Sequence, residues 1–372
     1  MSRCFSILIL TILALAAVSV SAQSRRVQAT PTPPPRDDDT VRVHTEEIKL
    51  NVLAFDENGK FFHDVRSNDL VITENNVLHP PTSVRRLPAS VLIIMDTGGE
   101  LRTVKSLDNT RKVARTVIDG LRPGDSVAVM TYADKAEIVG EWTTDKAQMI
   151  AAIKRANFGR RSVFVDAIKM ATTFMMREGV ENRHIVLITD GTDGMGRASE
   201  KFDALQRLLA TDITVHVISY TSMEAAKVDP KTKTLTNTVP RKALPPEVIA
   251  GLPNGVKDAH TAPKIGPTIN MDRKMIRTMK ARKAELEIAQ EQLEKLAQDT
   301  NGEFILPDSV DEMVEKSALV ARMIDSSYVV TYMPKIAVVE TRGRAERNIE
   351  VTSKRSGLIV QARRRLVIES DK

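Results

Sequence analysis

Two short runs of the chain are almost wholly apolar, and each stops at an aspartate. Residues 91–95 (VLIIM) precede Asp96, and residues 184–189 (HIVLIT) precede Asp190. A strand with one wet face alternates apolar and polar residues. A strand apolar at nearly every position is buried on both faces, as in a parallel sheet covered by helices. The surrounding sequence fits that reading. After 91–95, Val104, Leu107, Ala114, Val117, Ile118 and Leu121 recur at helical spacing until Pro123-Gly124. Strands are expected at 126–132, 137–142, 213–220 and 302–306, and helices at 145–157, 162–178, 199–211 and 310–325. Strands alternating with helices of this length predict an α/β fold, a doubly wound, mostly parallel sheet flanked by helices over residues 89–325.

The rest of the 372 residues reads as additions to that sheet. Arg3, an apolar run over 5–20 and the small residues before Gln23 form a secretory signal peptide over 1–22. Residues 23–43, with four prolines and Asp37-Asp38-Asp39, read as a disordered linker. Residues 44–88 read as a small β unit, beginning with the alternation Ile48, Leu50, Val52, Ala54 and a turn at Asp56-Glu57-Asn58-Gly59. Such a unit is too small to stand alone. The β-like segments within 326–372 are placed to complete it, joining the two chain ends. Between them, residues 222–268, with seven prolines and no aromatic residue, read as a mobile insertion. Residues 271–298 read as a long helix whose basic first half opposes the helix dipole, so tertiary or partner contacts must hold it.

Composition removes several function classes. Cys4 is the one cysteine and lies in the signal segment, which excludes a disulfide scaffold, a cysteine zinc site, an iron–sulfur cluster and a thiol nucleophile. A net charge of +6 is too small to argue for nucleic acid. No later stretch is long and apolar enough to span a bilayer. The chain has no H-E-x-x-H, no phosphate-binding G-x-x-x-x-G-K-[ST] and no G-x-S-x-G. The expected protein is secreted or periplasmic, without catalytic residues, organic cofactor or small-molecule substrate.

The informative residues are the acids at the strand ends. In an open α/β sheet the ligand crevice lies beyond the carboxyl ends of the strands, at the switch point. Two central strands bring Asp96 and Asp190 together there. Oxygen donors gathered at one point suit Mg²⁺ or Ca²⁺, and the set read from the sequence is Asp96, Glu100, Ser162 and Asp190.

On these residues the sequence resembles the von Willebrand factor A domains, in particular those of secreted bacterial proteins, over about residues 44–372. The metal-ion-dependent adhesion site of that family is built on D-x-S-x-S, a separate Thr and a later Asp. Asp96-Thr97-Gly98-Gly99-Glu100 falls on the first part, Ser162 in the Thr place, and Asp190-Gly191 on the last. The resemblance implies a non-enzymatic binding module that meets a protein or cell-envelope partner at the carboxyl-end face of the sheet. Gly98 and Glu100 stand where the family has serines. Three carboxylates would blunt a cation's pull on a partner's acid, and Arg160 and Arg161 are placed to pair with Glu100 instead. Two alternatives stay open at the site: an altered cation pocket, or a metal-free ion pair. Two other functions also stand: a structural envelope protein with a vestigial site, and a haloacid-dehalogenase-like phosphohydrolase suggested by Asp96-Thr97-Gly98.

Overall fold

The structure is a computed structural model and describes residues 47–99, 104–194, 196–236, 250–251, 253, 268–269, 272–336 and 344–369. The chain opens with strands β1 (Ile48–Phe55), β2 (Leu70–Glu74), β3 (Val77–His79), β4 (Pro81–Arg85) and β5 (Ser90–Asp96). Helix α1 (Leu107–Gly120) leads to β6 (Ser126–Tyr132) and β7 (Ala136–Thr143). Helices α2 (Lys146–Arg155) and α3 (Phe164–Met175) precede β8 (Arg183–Thr189). Then come α4 (Ala198–Leu209), β9 (Thr214–Ser219), α5 (Thr221–Val228), α6 (Arg273–Asp299), β10 (Phe304–Ile305) and α7 (Val310–Asp325). The chain closes with β11 (Ser327–Tyr332), β12 (Arg344–Ser353), β13 (Ile359–Ala362) and β14 (Arg365–Glu369).

The central sheet has the order β10-β9-β8-β5-β6-β7. All its pairings are parallel except that of the edge strand β7 with β6. Every residue of β5 is buried, and the period-2 alternation of a strand divides them between two cores. Val91, Ile93 and Met95 pack with α1, α2 and α7, whereas Leu92 and Ile94 pack with α3, α4 and the end of α6. This is why the run 91–95 carries no polar residue: neither face has water to meet.

From β5 the chain winds outward through β6 and β7, then returns to β8 on the other side of β5 and winds outward through β9 to β10. The winding reverses between β5 and β8. Their register pairs Met95 with Ile188, so Asp96 and the residues just after β8 share one end of the sheet. The switch point expected from the sequence is therefore real, and it falls at the two aspartates.

The chain ends form the β unit together. One four-stranded sheet has the order β13-β1-β11-β4 and another β14-β12-β2-β3. They share one core of Leu50, Val52, Leu70, Ile72, Val330, Tyr332, Ile349 and Ile368. The segment 222–268 departs from the expected insertion at its start. Thr221–Val228 is a helix whose Thr221, Met223, Glu224 and Val228 are buried. Leu235–Thr236 and Thr268–Ile269 pair antiparallel, and residues 237–249 and 254–267 lie outside the described residues, as do the signal segment and the linker.

Candidate functional site

Asp96 is the last residue of β5 and Asp190 the first after β8, and both are fully buried. Two carboxylates in that position need compensation, because burial penalises the charged form heavily. The compensation comes from Lys105. Ser106 caps α1 by accepting from the Asn109 N–H, so Lys105 is the last residue of the loop leaving β5. Its side chain turns inward with 2% exposure, and its Nζ lies 2.7 Å from Asp96 Oδ2 and 3.2 Å from Asp190 Oδ2. The backbone at this point is pinned from α5, where Glu224 Oε1 accepts the N–H groups of Val104 and Lys105 at 2.7 Å each.

A second cation arrives from α6. Arg282 donates from Nη2 to Asp190 Oδ2 at 3.1 Å and from Nη1 to Glu285 at 3.0 Å. Burial works against the Lys105 ammonium, but Asp190 and Asp96 outweigh it and raise its pKa above the ordinary lysine value. Burial likewise works against the Asp190 carboxylate, and Lys105 and Arg282 overcome it, holding Asp190 well below the usual carboxylate range. Among the described residues Asp96 has Lys105 alone as a cationic partner, and burial, aided by Asp190, raises its pKa.

The remaining lone pairs of Asp96 are occupied. Oδ1 accepts from the Gly98 N–H at 3.1 Å, Oδ2 accepts from Thr189 Oγ1 at 3.2 Å, and Ser162 Oγ donates toward both oxygens at 3.4 Å. Thr189 Oγ1 itself accepts from the Gly191 N–H and meets Tyr132 OH at 2.5 Å, which makes the tyrosine the donor. An aspartate this enclosed offers no free oxygen for attack on a phosphoester, so the site lends no support to a phosphohydrolase nucleophile.

Three of the four residues read from the sequence thus come together: Asp96, Ser162 and Asp190. Glu100 lies outside the described residues, and with it the expected pairing to Arg160 or Arg161. The cation is what differs from the Mg²⁺ or Ca²⁺ expectation. The Lys105 ammonium sits between the two carboxylates, where a divalent ion would have to sit, and would repel one. Gly98 also cannot be a lost hydroxyl ligand waiting to be restored. A Cβ there would lie 1.7 Å from the carbonyl oxygen of Arg161. The described residues therefore do not fit a divalent cation.

Lys105 carries no sequence signal, being one lysine in a loop. Arg282 does carry one. It occupies a core position of the stripe Met279, Leu286, Ala289, Leu293 and Leu296, all buried on α6. A charge at a core position implies a buried partner.

The von Willebrand factor type A domain family model matches residues 91–192. No curated protein matches the chain. Among solved structures, a von Willebrand factor type A protein from Catenulispora acidiphila is 12% identical, with 88% of this chain and 75% of that one covered and a TM-score of 0.42. An aerotolerance-related membrane protein from Bacteroides fragilis is 17% identical, covering 64% of this chain and 98% of that one at a TM-score of 0.36. Protein BatB from Bacteroides thetaiotaomicron is also 17% identical, covering 63% and 98% at a TM-score of 0.34. The matched segment contains both strand ends, Asp96 and Asp190, and the sheet around them is doubly wound and mostly parallel. Over residues 91–192 this chain is similar to the von Willebrand factor type A domains, within a doubly wound, mostly parallel sheet.

Proposed function

We propose that the chain is an exported, non-enzymatic binding module that recognises a protein or envelope partner at the carboxyl-end face of its sheet, and does so without a bound metal. The observation that carries the reading is the Lys105 ammonium bridging Asp96 and Asp190. It supplies internally the positive charge that the two strand-end carboxylates require. The face is then set when the chain folds, and partner binding is independent of divalent-ion supply. Export rests on the sequence of residues 1–22 alone.

The test compares melting and partner capture. Wild type is expected to melt at the same temperature in chelator and in millimolar Mg²⁺ or Ca²⁺, and to retain the same envelope partner in both. Lys105→Ser vacates the space between the carboxylates and is expected to gain a metal-dependent rise in Tm, since a ligand that binds only the native state stabilises it. A metal-dependent rise in wild type, abolished in Asp190→Ala, would overturn the metal-free reading. A purely structural role for the buried ions predicts a different result: Lys105→Met would lose stability while capture by the remaining folded protein stayed unchanged.

A further inference from the structure

Helix α6 spans 27 residues, about 40 Å at the rise of an α-helix. Met279, Leu286 and Leu293 form its buried stripe. The opposite face repeats at alternating steps of three and four through Lys274, Arg277, Ala281, Ala284, Ile288 and Glu291, and all six are exposed. Ile288 shows 57% of its surface to solvent. The exposed charges are sorted by sign along the helix. Lys274, Arg277 and Lys280 lie in its first half, and Glu285, Glu287 and Glu291 in its second. That order is the reverse of what the helix dipole favours. Of the basic half, the inward-turned Arg282 and Lys283 pair with Asp190 and Asp229. Among the described residues Lys274, Arg277, Lys280 and Glu291 have no ion-pair partner within the chain.

We propose that this face of α6 is the contact of a symmetric homodimer, in which a second copy of the chain lays its own α6 antiparallel along it. The charge order selects that occupant. Antiparallel packing sets each basic half against the acidic half of the other copy and opposes the two helix dipoles. A parallel copy would set like charges together along the whole length. The alignment is fixed by the heptad positions. With the two-fold axis between Ala281 and Ala284, Ala281 faces Ala284 of the second copy, Lys274 faces its Glu291 and Lys280 faces its Glu285. The two alanines allow the axes to approach to about 8 Å, the close end of the range for packed helices. Ile288 then leaves water against the methylene stem of Arg277, whose guanidinium stays at the solvent rim. Exposed ion pairs are individually weak, so the dimer is expected to dissociate in the micromolar range rather than to be permanent. The proposal is independent of the reading of the strand-end face.

Sedimentation velocity of the full chain between about 1 and 100 µM reads the equilibrium. Wild type is expected to pass from monomer to dimer over this range, and less readily as salt is added. Lys274→Glu and Glu291→Lys each make both symmetry-related contacts repulsive. Each is expected to weaken dimerisation at least about tenfold. Mixed one to one, the two variants are expected to dimerise with each other, because opposite charges then meet at both contacts. Recovery on mixing also excludes misfolding as the cause of the loss. A monomer throughout the range would overturn the proposal and leave the exposed face to another segment of this chain or to a foreign protein. A dimer that neither variant weakens would place the contact elsewhere and overturn it equally. A mixture that stays monomeric would exclude the antiparallel alignment.

Discussion

An ammonium with 2% exposure survives only where its neighbours replace the water it has lost. At Lys105 the two carboxylates do so, and the converse also holds: without Lys105 they face each other in a dry interior with Arg282 alone. Lys105→Met keeps an unbranched side chain, one heavy atom shorter, and removes the charge. It is expected to destabilise the fold by about 3–5 kcal/mol, the cost of breaking a buried ion cluster at one partner; urea unfolding measures it. Gly98 sets a second condition. Gly98→Ser would seem to restore a family-type hydroxyl, yet its Cβ collides with the Arg161 carbonyl. It is expected to lower stability by about 1–3 kcal/mol through overpacking. An unchanged urea midpoint for Gly98→Ser would show that the 159–162 loop yields freely.

At the scale of elements, β8 and β9 are tied by a hydrogen-bond chain with one consistent set of proton positions. The Glu303 N–H donates to His216 Nδ1 at 3.1 Å, so His216 carries its proton on Nε2 and gives it to His184 Nδ1 at 3.2 Å. His184 Nε2 then donates to Asn182 Oδ1 at 3.0 Å. Both rings are fully buried, and burial lowers His216 to about 3 and holds His184 well below the ordinary value. The sign of the pH effect follows. Below about 6.5 the unfolded chain binds protons that the folded histidines refuse. Stability therefore falls as pH drops from about 6.5 towards 3, by up to about 1.4 kcal/mol per pH unit from His216, and His184 acts in the same direction. His216→Gln should flatten the dependence of the urea midpoint between pH 6.5 and 4.5. A slope equal to wild type in that variant would assign the acid sensitivity elsewhere. Helix α6 shows the same logic with charges. Its basic first half is held by tertiary ion pairs, Arg282 to Asp190 and Lys283 to Asp229 at 2.6 Å, rather than by its own dipole.

At the scale of the molecule, the β unit and the α/β layer fold as a consequence of each other. β11 lies between β1 and β4, and it follows directly from α7. Asn51 donates to Thr214 Oγ1 at 3.0 Å, Asn182 donates to the Leu87 carbonyl at 3.0 Å, and Arg86 pairs with Asp325 at 2.7 Å, so side chains cross between the two layers in several places. Truncation after Asp325 removes β11 to β14 and leaves β1 and β4 unpaired over a bared core. The truncated chain is expected to be insoluble or to lose cooperative unfolding, whereas the full chain unfolds in one transition; circular dichroism during a thermal ramp distinguishes these. A sharp transition in the truncated chain would show that the α/β layer is autonomous.

The sequence determined what periodicity can encode. The apolar runs before Asp96 and Asp190, the helical stripes between them and the alternation at Ile48, Leu50 and Val52 each state which faces are dry, and a face is a local property of the chain. From that alone came the doubly wound sheet, the switch point and two of the acids at it. The identity of the cation did not come, because a charge is satisfied by whatever the fold delivers to it. Lys105 reaches Asp96 from a loop nine residues on, Arg282 reaches Asp190 across 92 positions, and Glu224 reaches back to pin the Lys105 backbone from a segment whose prolines read as an insertion. The absence of a side chain at residue 98 was visible in the sequence. Its cause, the Arg161 carbonyl packed into that space, exists only once β5 and the loop before α3 are brought together.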